Sequence, residues 1–464
     1  MTIVFTGRNV VLPGSDYPQP ATITVDTETG KITDIQNGYL SRSDFLTDQD
    51  ATRIDAGCNY ILPGLVDAHV HLNEPGRTDW EGFWTGTRAA VSGGVTTLVD
   101  MPLNSIPPTT TLENLETKRA AAQGQCWTDV AFWGGIIPGN KASLRSLVQS
   151  GVKGFKCFLI DSGVEEFPYV TEEVLKSSME ELQDESTVVL FHAELDSPGN
   201  AYGIPAKNEH PPGDPKFYST FLKSRPQKLE TDAVSLITTV QLKYPSLRCH
   251  IVHLSAASAL PLIHVAKSSG LKLTVETCFH YLCLSADEIP DGRPQFKCCP
   301  PIREHTNREL LWDALKDGTL DCVVSDHSPC VAELKNMDEG DIMNAWGGIS
   351  TLGLGLSLLW TEGQKRGVTI GQIIKWTSAQ TAEHAGLGNT KGQLKVGYDA
   401  DLIIWDSEAE FKVTKETMKF KNKLSPYEGL SLRGQVEKTF IRGQVAYHGA
   451  VKGFKNLKPL GKLL

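Results

Sequence analysis

Hydrophobic and polar residues alternate over short runs at both ends of the chain. Residues 1–62 contain strand-sized runs such as TIVFTGRNVVL and ATITVD, and residues 390–464 contain LIIWD and VEKTFIRGQVAYHG, with Gly, Asp and Asn between the runs. Short alternating runs bounded by turn residues are typical of β-strands. The two ends therefore predict one small β-domain, a β-sandwich composed of residues 1–62 and 390–464.

The central part, residues 63–389, alternates apolar runs with segments of helical periodicity. Eight runs are predicted to be strands: 64–72, 95–103, 129–136, 152–160, 187–194, 248–255, 272–280 and 320–328. Helices are predicted between them, at 111–123, 171–181, 231–243, 257–269 and 307–316. Eight strand–helix units predict an α/β fold, a TIM (β/α)8 barrel, whose functional groups lie at the C-terminal ends of its strands. A doubly wound open sheet is the alternative, but it usually has a glycine-rich loop after its first strand, and the sequence after residue 72 has none.

Composition and charge narrow the class of protein. The 464 residues are 40% hydrophobic and 22% charged, with a formal net charge of −10 and no basic block. Phosphate binding needs clustered Lys and Arg, so we expect no nucleic-acid partner. The N-terminal sequence lacks the basic and apolar regions of a signal peptide. The longest apolar stretch, 347–360, is too short for a membrane span of about 20 residues. The ten cysteines include no C-x-x-C pair, which favours buried reduced thiols. We expect a cytoplasmic protein without a membrane segment.

The first predicted strand carries two histidines, His69 and His71, in the run DAHVHL. Residues two positions apart on a strand point to the same side of the sheet, so the two imidazoles are neighbours. Neutral histidine is the commonest metal ligand in proteins. A hydrogen-bonded pair of core histidines is the alternative, and the pair alone favours a metal only modestly.

Four more polar side chains occur at or near the C-terminal ends of later predicted strands: Lys156, His192, His253 and Asp326. Each has a structural explanation of its own, but a shared position at one end of the strands favours a joint site. Six groups exceed the four ligands of one tetrahedral zinc ion and suit two metal ions about 3.5–4 Å apart. The ammonium of Lys156 cannot bind a cation, and its burial is costly. We therefore hypothesise that its neutral amine adds carbon dioxide and bridges the two ions as a carbamate.

Taken together, these motifs resemble a known superfamily. D-x-H-x-H (67–71), G-F-K-C-F (154–158), S-D-H-S-P (325–329) and G-Y-D-A-D-L-I-I-W-D (397–406) resemble the amidohydrolase superfamily, in its cyclic amidohydrolase branch. Five further stretches are similar to allantoinases: 69–83, 101–110, 221–234, 297–304 and 344–353. The resemblance covers nearly the whole chain.

The resemblance implies a ligand set and a reaction. His69, His71 and Asp326 are expected to bind one divalent ion, His192 and His253 the other, and carboxylated Lys156 to bridge them. A hydroxide between the ions would attack a ring carbonyl of allantoin and give allantoate, with Asp326 as general base and then acid. Zinc is the expected metal, with manganese, cobalt and iron as alternatives. Three residues are expected to hold the ring: Asn104, Cys299 and Gly347. Relatives are often dimers or tetramers, so we expect a homo-oligomer.

Three positions bear on the substrate. Dihydroorotases of the same branch typically have Arg where this chain has Asn73, and that Arg pairs with the substrate carboxylate. Asn73 therefore favours a substrate with an uncharged ring. Arg77 is close in sequence and could partly replace the missing arginine. Cys299 and Phe279 stand where many relatives have Ser and Pro. The alternative function is a hydantoinase or dihydropyrimidinase acting on another cyclic amide, whereas a non-catalytic paralogue would lack several of the six ligands. The insertion 196–228 is expected to cover the active-site face.

Overall fold

The N-terminal region forms short strands, as its alternating pattern predicts. A computed structural model describes residues 1–41, 51–196, 213–449 and 453–464. The first five strands are β1 (Thr2–Val10), β2 (Gln19–Asp26), β3 (Lys31–Asn37), β4 (Ala51–Asp55) and β5 (Tyr60–Pro63). They pack a small apolar cluster that includes Phe5, Ile23 and Ile61 and is separate from the main core.

Among the described residues, nine parallel strands follow. They are β6 (Leu65–Val70), β7 (Val95–Asp100), β8 (Asp129–Phe132), β9 (Gly134–Gly135), β10 (Phe155–Phe158), β11 (Val188–His192), β12 (Arg248–Ile251), β13 (Leu273–Cys278) and β14 (Cys322–Val324). Each lies within one of the eight predicted runs. The run 129–136 is interrupted at Trp133, so that β8 pairs with β7 and β9 pairs with β10.

The central strands follow each other in space in the order of the chain. β6, β7 and β8 form one parallel sheet and β9 to β14 form another. Beyond the end of β14, His327 pairs in parallel with Val70 at the end of β6. The fold is therefore α/β with parallel strands, as predicted. The strand order shows no reversal of the kind that a doubly wound sheet requires.

Helices connect the strands. Those of the described residues are α1 (Phe83–Ser92), α2 (Leu112–Ala122), α3 (Leu144–Gln149), α4 (Glu172–Leu182), α5 (Tyr218–Ser224), α6 (Lys228–Gln241), α7 (Leu260–Ser268), α8 (Phe279–Cys283), α9 (His305–Asp317), α10 (Gly355–Gln364), α11 (Ile370–Ile374) and α12 (Gln380–His384). The five predicted helices match α2, α4, α6, α7 and α9 to within a few residues. α2 and α4 begin where Thr111 and Thr171 accept a hydrogen bond from a backbone N–H of the first turn. No described helix is both long and apolar enough to cross a membrane.

The C-terminal region returns to the N-terminal strands. The last strands, β15 (Leu402–Lys412), β16 (Ser431–Ile441) and β17 (Gln444–His448), extend the first sheet in the order β17-β16-β15-β5-β1-β2-β3, with β4 beside β1. β15 is antiparallel to β5, with Ile404 opposite Ile61. All ten cysteines lie within the described residues as free thiols, and seven of them are buried.

Candidate metal centre

A cavity of about 580 Å³ collects all six predicted ligands. They are His69, His71, Lys156, His192, His253 and Asp326. Lys156 lies within β10 and His192 is the last residue of β11. His69 is the last residue but one of β6, and the other three lie just beyond the ends of their strands. His71, for example, follows the end of β6 and donates its backbone N–H to His327 O at 2.9 Å. The sequence prediction that these residues meet at one place agrees with this arrangement.

His69, His71 and Asp326 form the first group. Asp326 Oδ1 lies 3.2 Å from His69 Nε2 and 3.4 Å from His71 Nε2. His69 Nδ1 lies 2.5 Å from Glu276 Oε1, and its buried Nε2 makes no hydrogen bond within the described residues. Because the Nδ1–H is given to a carboxylate, the lone pair is on Nε2 and points toward the cavity. This is the arrangement of an imidazole that binds a metal ion.

Lys156, His192 and His253 form the second group. His253 Nε2 lies 3.1 Å from His192 Nδ1 and 3.4 Å from Lys156 Nζ. His192 Nε2 faces Glu194 at 2.7 Å, which leaves Nδ1 as the free lone pair. Burial lowers the pKa of His192 and His253, so both rings are neutral at physiological pH. Neutral rings are the form that binds cations.

The other two charged candidate ligands, Lys156 and Asp326, also have shifted pKa values. Burial lowers the pKa of Lys156 to about 8, although nearby Asp326 acts in the opposite direction. Burial also raises the pKa of Asp326, but the charge of His69 and the contact with His71 outweigh burial and bring it to about 2. At neutral pH the neutral amine is therefore a larger fraction of Lys156 than of an ordinary lysine, and it lies near an ionised carboxylate.

The backbone is strained at this cavity. Seven non-glycine residues of the described chain have a positive φ, and four of them lie at or next to the site: Asn73 (63°), Asn104 (67°), His253 (38°) and Asp326 (43°). Such conformations cost about 1–3 kcal/mol each and persist where the surroundings fix them, often at functional sites. Here they occur at two of the six candidate ligands, His253 and Asp326, which line the cavity.

The three residues expected to hold the ring all line the same cavity. The Asn104 amide lies 3.4 Å from His71 Nδ1. Gly347 faces Cys299, since a methyl group added at Gly347 would lie 3.2 Å from Cys299 Sγ. The loop that carries Gly347 is held by the buried Lys335, whose Nζ donates to the carbonyl oxygens on either side of that glycine.

Position 73 brings no cation to the cavity. Asn73 is buried and donates to Pro329 O at 3.3 Å. Arg77 donates to Glu166 at 2.5 Å and to Asn104 O at 2.8 Å, and it is absent from the described cavity lining. Arg77 thus does not replace the substrate-binding arginine of dihydroorotases in this arrangement.

Part of the predicted cover lies outside the described residues. Of the insertion 196–228, residues 197–212 are not described. Phe221, Ser224 and Arg225 line the cavity, so the described end of the insertion contributes to its wall.

The sequence analysis missed three charged residues around the cavity: Glu194, Arg225 and Glu276. Glu194 supports His192 and is itself bound by Arg225 Nη1 at 2.5 Å. Glu276 lies in the apolar run TVETC, so a buried charge was visible there by the same reasoning that identified Lys156. Arg225 lies in the insertion, where an arginine is unremarkable and carries no such signal.

The donor atoms fit a pair of divalent cations. Four imidazoles and one carboxylate converge, and two buried ring nitrogens, His69 Nε2 and His253 Nδ1, have no hydrogen-bond partner within the described residues. Buried polar atoms rarely remain unpaired in a folded protein. A bound cation would explain the unpaired His69 Nε2. Nitrogen and carboxylate ligands of this kind are those that zinc and related metals prefer.

Comparison with known proteins identifies the family. The sequence profile of the family described as "Amidohydrolase family" matches residues 60–446. The chain belongs to the amidohydrolase family. This amidohydrolase is 47% identical to an allantoinase of Saccharomyces cerevisiae, over 99% of this chain and 98% of the relative. It is 46% identical to an allantoinase of Streptomyces avermitilis, over 95% and 94% of the two chains.

Solved structures of other amidohydrolases have the same fold. The L-hydantoinase (dihydropyrimidinase) of Arthrobacter aurescens aligns with this amidohydrolase over 99% of both chains, with a TM-score of 0.89 and 29% identity. The dihydropyrimidinase of Brevibacillus agri covers 100% of this chain and 98% of its own, with a TM-score of 0.86 and 27% identity. The resemblance to allantoinases that the motifs indicated is confirmed by the relatives at 46–47% identity.

Proposed function

We propose that this amidohydrolase opens the hydantoin ring of allantoin by hydrolysis and releases allantoate, a step of purine (ureide) breakdown. One observation carries the proposal: four imidazoles, a carboxylate and a buried amine converge in one cavity. The chain in which they do so is 46–47% identical to two allantoinases over at least 95% of its length.

The two groups of side chains would hold two divalent cations. His69, His71 and Asp326 would bind one ion, and His192 and His253 would bind the other. The distances of 3.1–3.4 Å within each group and the neutral rings support this assignment. Zinc is the metal we propose first, with manganese, cobalt and iron as alternatives that the same ligands accept.

Lys156 would join the two groups as a carbamate. The neutral amine would attack carbon dioxide: the N–C bond forms as one C–O π bond opens, and the nitrogen releases its proton to water. Burial favours the neutral amine that this reaction needs. Two divalent cations held by these residues would lower the pKa of a water molecule and stabilise negative charge on the ring carbonyl oxygen.

Asp326 would move the proton. Its pKa of about 2 keeps it ionised at neutral pH, so it can accept the proton of the attacking water. It would then deliver that proton to the ring nitrogen as the C–N bond breaks. Asn104, Cys299 and Gly347 would hold the ring while this occurs, and the absence of a substrate-binding arginine at position 73 suits a ring without a carboxylate.

The proposed architecture places this site at the mouth of a (β/α)8 barrel of residues 63–389. The sequential strand order and the pairing of Val70 with His327 support closure of the strands. Residues 1–62 and 390–464 would form the second, β-sandwich domain. We also propose a cytoplasmic dimer or tetramer, which sedimentation and cell fractionation would test.

Hydantoinase or dihydropyrimidinase activity is the second candidate, because the solved structures with high TM-scores are those enzymes. A ring-opening assay with allantoin, hydantoin, dihydrouracil and dihydroorotate separates the candidates. We expect the highest kcat/KM for allantoin, complete loss of activity on chelation, and recovery with added zinc. A higher kcat/KM for another ring would refute the substrate, and full activity of metal-free protein would refute the mechanism.

A further inference from the structure

A buried carboxylate lies behind the metal centre proposed above, on which this inference rests. Glu276, in β13, is inaccessible to solvent. Its Oε1 lies 2.5 Å from His69 Nδ1 and 3.2 Å from the backbone nitrogen of His253, and its Oε2 lies 3.1 Å from His250 Nε2. The carboxylate thus faces three N–H groups. Glu276 is absent from the described cavity lining, so we do not expect it to contact the substrate.

The hydrogen bonds fix the tautomers of both imidazoles. An ionised carboxylate only accepts hydrogen bonds, so the proton of His69 is on Nδ1 and that of His250 is on Nε2. His250 Nδ1 is then an acceptor for Thr274 Oγ1, which lies 2.7 Å away. The ring of His250 is held from its face as well, since it stacks on His384 at a centroid distance of 3.6 Å. Glu276 is consequently fixed by groups that lie outside the cavity.

The same oxygen of Glu276 contacts both halves of the centre. Oε1 accepts the side-chain N–H of His69, a ligand of the first group, and the backbone N–H of His253, a ligand of the second. His253 has a φ of 38°, a conformation that non-glycine residues rarely adopt without support. A hydrogen bond to its N–H helps to hold that conformation and therefore the direction of the ring.

We infer that Glu276 is a positioning residue that orients one ligand of each metal ion at once, through the ring of His69 and the backbone of His253. Carboxylates that accept the second N–H of a metal-binding histidine fix the ring and raise its basicity, and their loss typically weakens metal binding about 10–100-fold. Here that support is shared between the two halves of the site.

Glu194 offers a matched comparison within the same chain. It is another buried glutamate behind a ligand, but it contacts only the ring of His192, at 2.7 Å, and it is bound by Arg225. Replacing each glutamate by glutamine removes one buried negative charge and keeps the volume. In Glu276→Gln the amide NH2 must face one of the three N–H groups that the carboxylate accepts, so this substitution disrupts the shared support with little change of shape.

The experiment measures zinc transfer from holoenzyme to a coloured chelator, for the wild type, Glu276→Gln and Glu194→Gln. We expect Glu276→Gln to weaken the affinity for both zinc equivalents about 10–100-fold, and Glu194→Gln to weaken mainly one. Activity at saturating zinc should recover in Glu276→Gln, because the ligands themselves remain. Wild-type affinity for both equivalents in Glu276→Gln, or a change in only one, would overturn the inference.

A second variant covers the case in which Glu276→Gln does not fold. His250→Phe keeps the ring that stacks on His384 but removes the donor to Glu276 Oε2. We expect a smaller loss of affinity, again for both equivalents, and unchanged zinc binding would contradict the inference. Failure of the proposed function is distinguishable, since it would appear in the wild-type protein itself, as a higher kcat/KM for another ring, as the absence of zinc binding or as full activity without metal.

Discussion

Replacing Lys391 by methionine is expected to destabilise the fold, because this lysine is the centre of a buried charge cluster. Its Nζ lies 2.5 Å from Asp129, 2.8 Å from Asp399 and 2.8 Å from Asp401. Asp129 begins β8 in the central part, whereas the other two aspartates precede β15. The ammonium therefore joins the central strands to the segment that returns to the terminal sheet.

The size of the effect follows from what remains after the substitution. The side chains of Lys391, Asp129 and Asp401 are 2%, 1% and 5% exposed, so water cannot replace the ammonium. Arg442 still pairs with Asp129 at 2.6 Å and Lys31 with Asp399 at 2.7 Å, but Asp401 loses its one side-chain ion pair within the described residues. Removing one partner of a buried ion pair costs about 3–5 kcal/mol. With an unfolding entropy of ~2.1 cal/mol/K per residue, 464 residues give ~1 kcal/mol/K, so the Tm should fall by about 3–5 °C.

Thermal unfolding of the wild type and Lys391→Met would measure this loss, with Lys395→Met as the control. Lys395 is an exposed lysine of the same segment, and its replacement should change stability by less than about 0.5 kcal/mol. Equal Tm values for the two variants would refute the reasoning. The neighbouring carboxylates raise the pKa of Lys391 above its ordinary value, although burial opposes them. The stability that Lys391 contributes is therefore fully present below the ordinary lysine pKa. It is lost only as the pH rises through the higher pKa of the folded protein, so the Tm difference between wild type and Lys391→Met should persist across neutral pH.

Three further predictions concern the cavity. Lys156→Ala should lose bound metal and activity, and short carboxylic acids should restore part of both; full metal content without them would exclude a carbamate. Asp326→Asn should lower kcat about 10²–10⁴-fold because the amide cannot accept the proton. Steady-state kinetics at measured metal content would show this loss. A kcat within tenfold of wild type with both ions bound would exclude Asp326 as the base. Gly347→Ala should lower kcat/KM roughly tenfold because the added methyl group contacts Cys299. Introducing Gly347→Ala into the Cys299→Ala variant should therefore cause a smaller loss of kcat/KM than it does in the wild type. An equal loss in both backgrounds would contradict this account.

The positions of the eight central strand runs and of the six candidate ligands were predictable because each depends on a local pattern. His69, Lys156 and Asp326 lie on or beside short apolar runs, and a polar group at the end of a buried strand is visible in one dimension. In a (β/α)8 barrel such strand ends meet at one face, so residues far apart in sequence can be predicted to lie close together even when their contacts are unknown. The interruption of the run 129–136 at Trp133 was not predictable, since it depends on how two neighbouring strands pair with the same segment.

The supporting residues depend on contacts that span the chain. Glu276 is separated by 207 positions from His69, and Lys391 by 262 from Asp129. A single buried charge predicts that a partner exists but does not say which one. The role of Arg225 is further hidden because it lies in an insertion, where an arginine is expected at the surface. Residues proposed to touch substrate or metal can be recognised in the sequence by their residue type. The residues that hold them in place can be identified only from interatomic distances in the folded structure.

The terminal sheet has a consequence for the synthesis of the protein. β5 ends at Pro63 and its partner β15 begins at Leu402, so a ribosome must add more than 300 residues between them. At about 5–20 residues per second this takes roughly 20–70 s. During that time the apolar edge that includes Ile61 lacks its partner Ile404. Throughout this interval β5 is exposed to mispairing, so part of the demand for chaperone protection during synthesis arises in this sheet, away from the cavity.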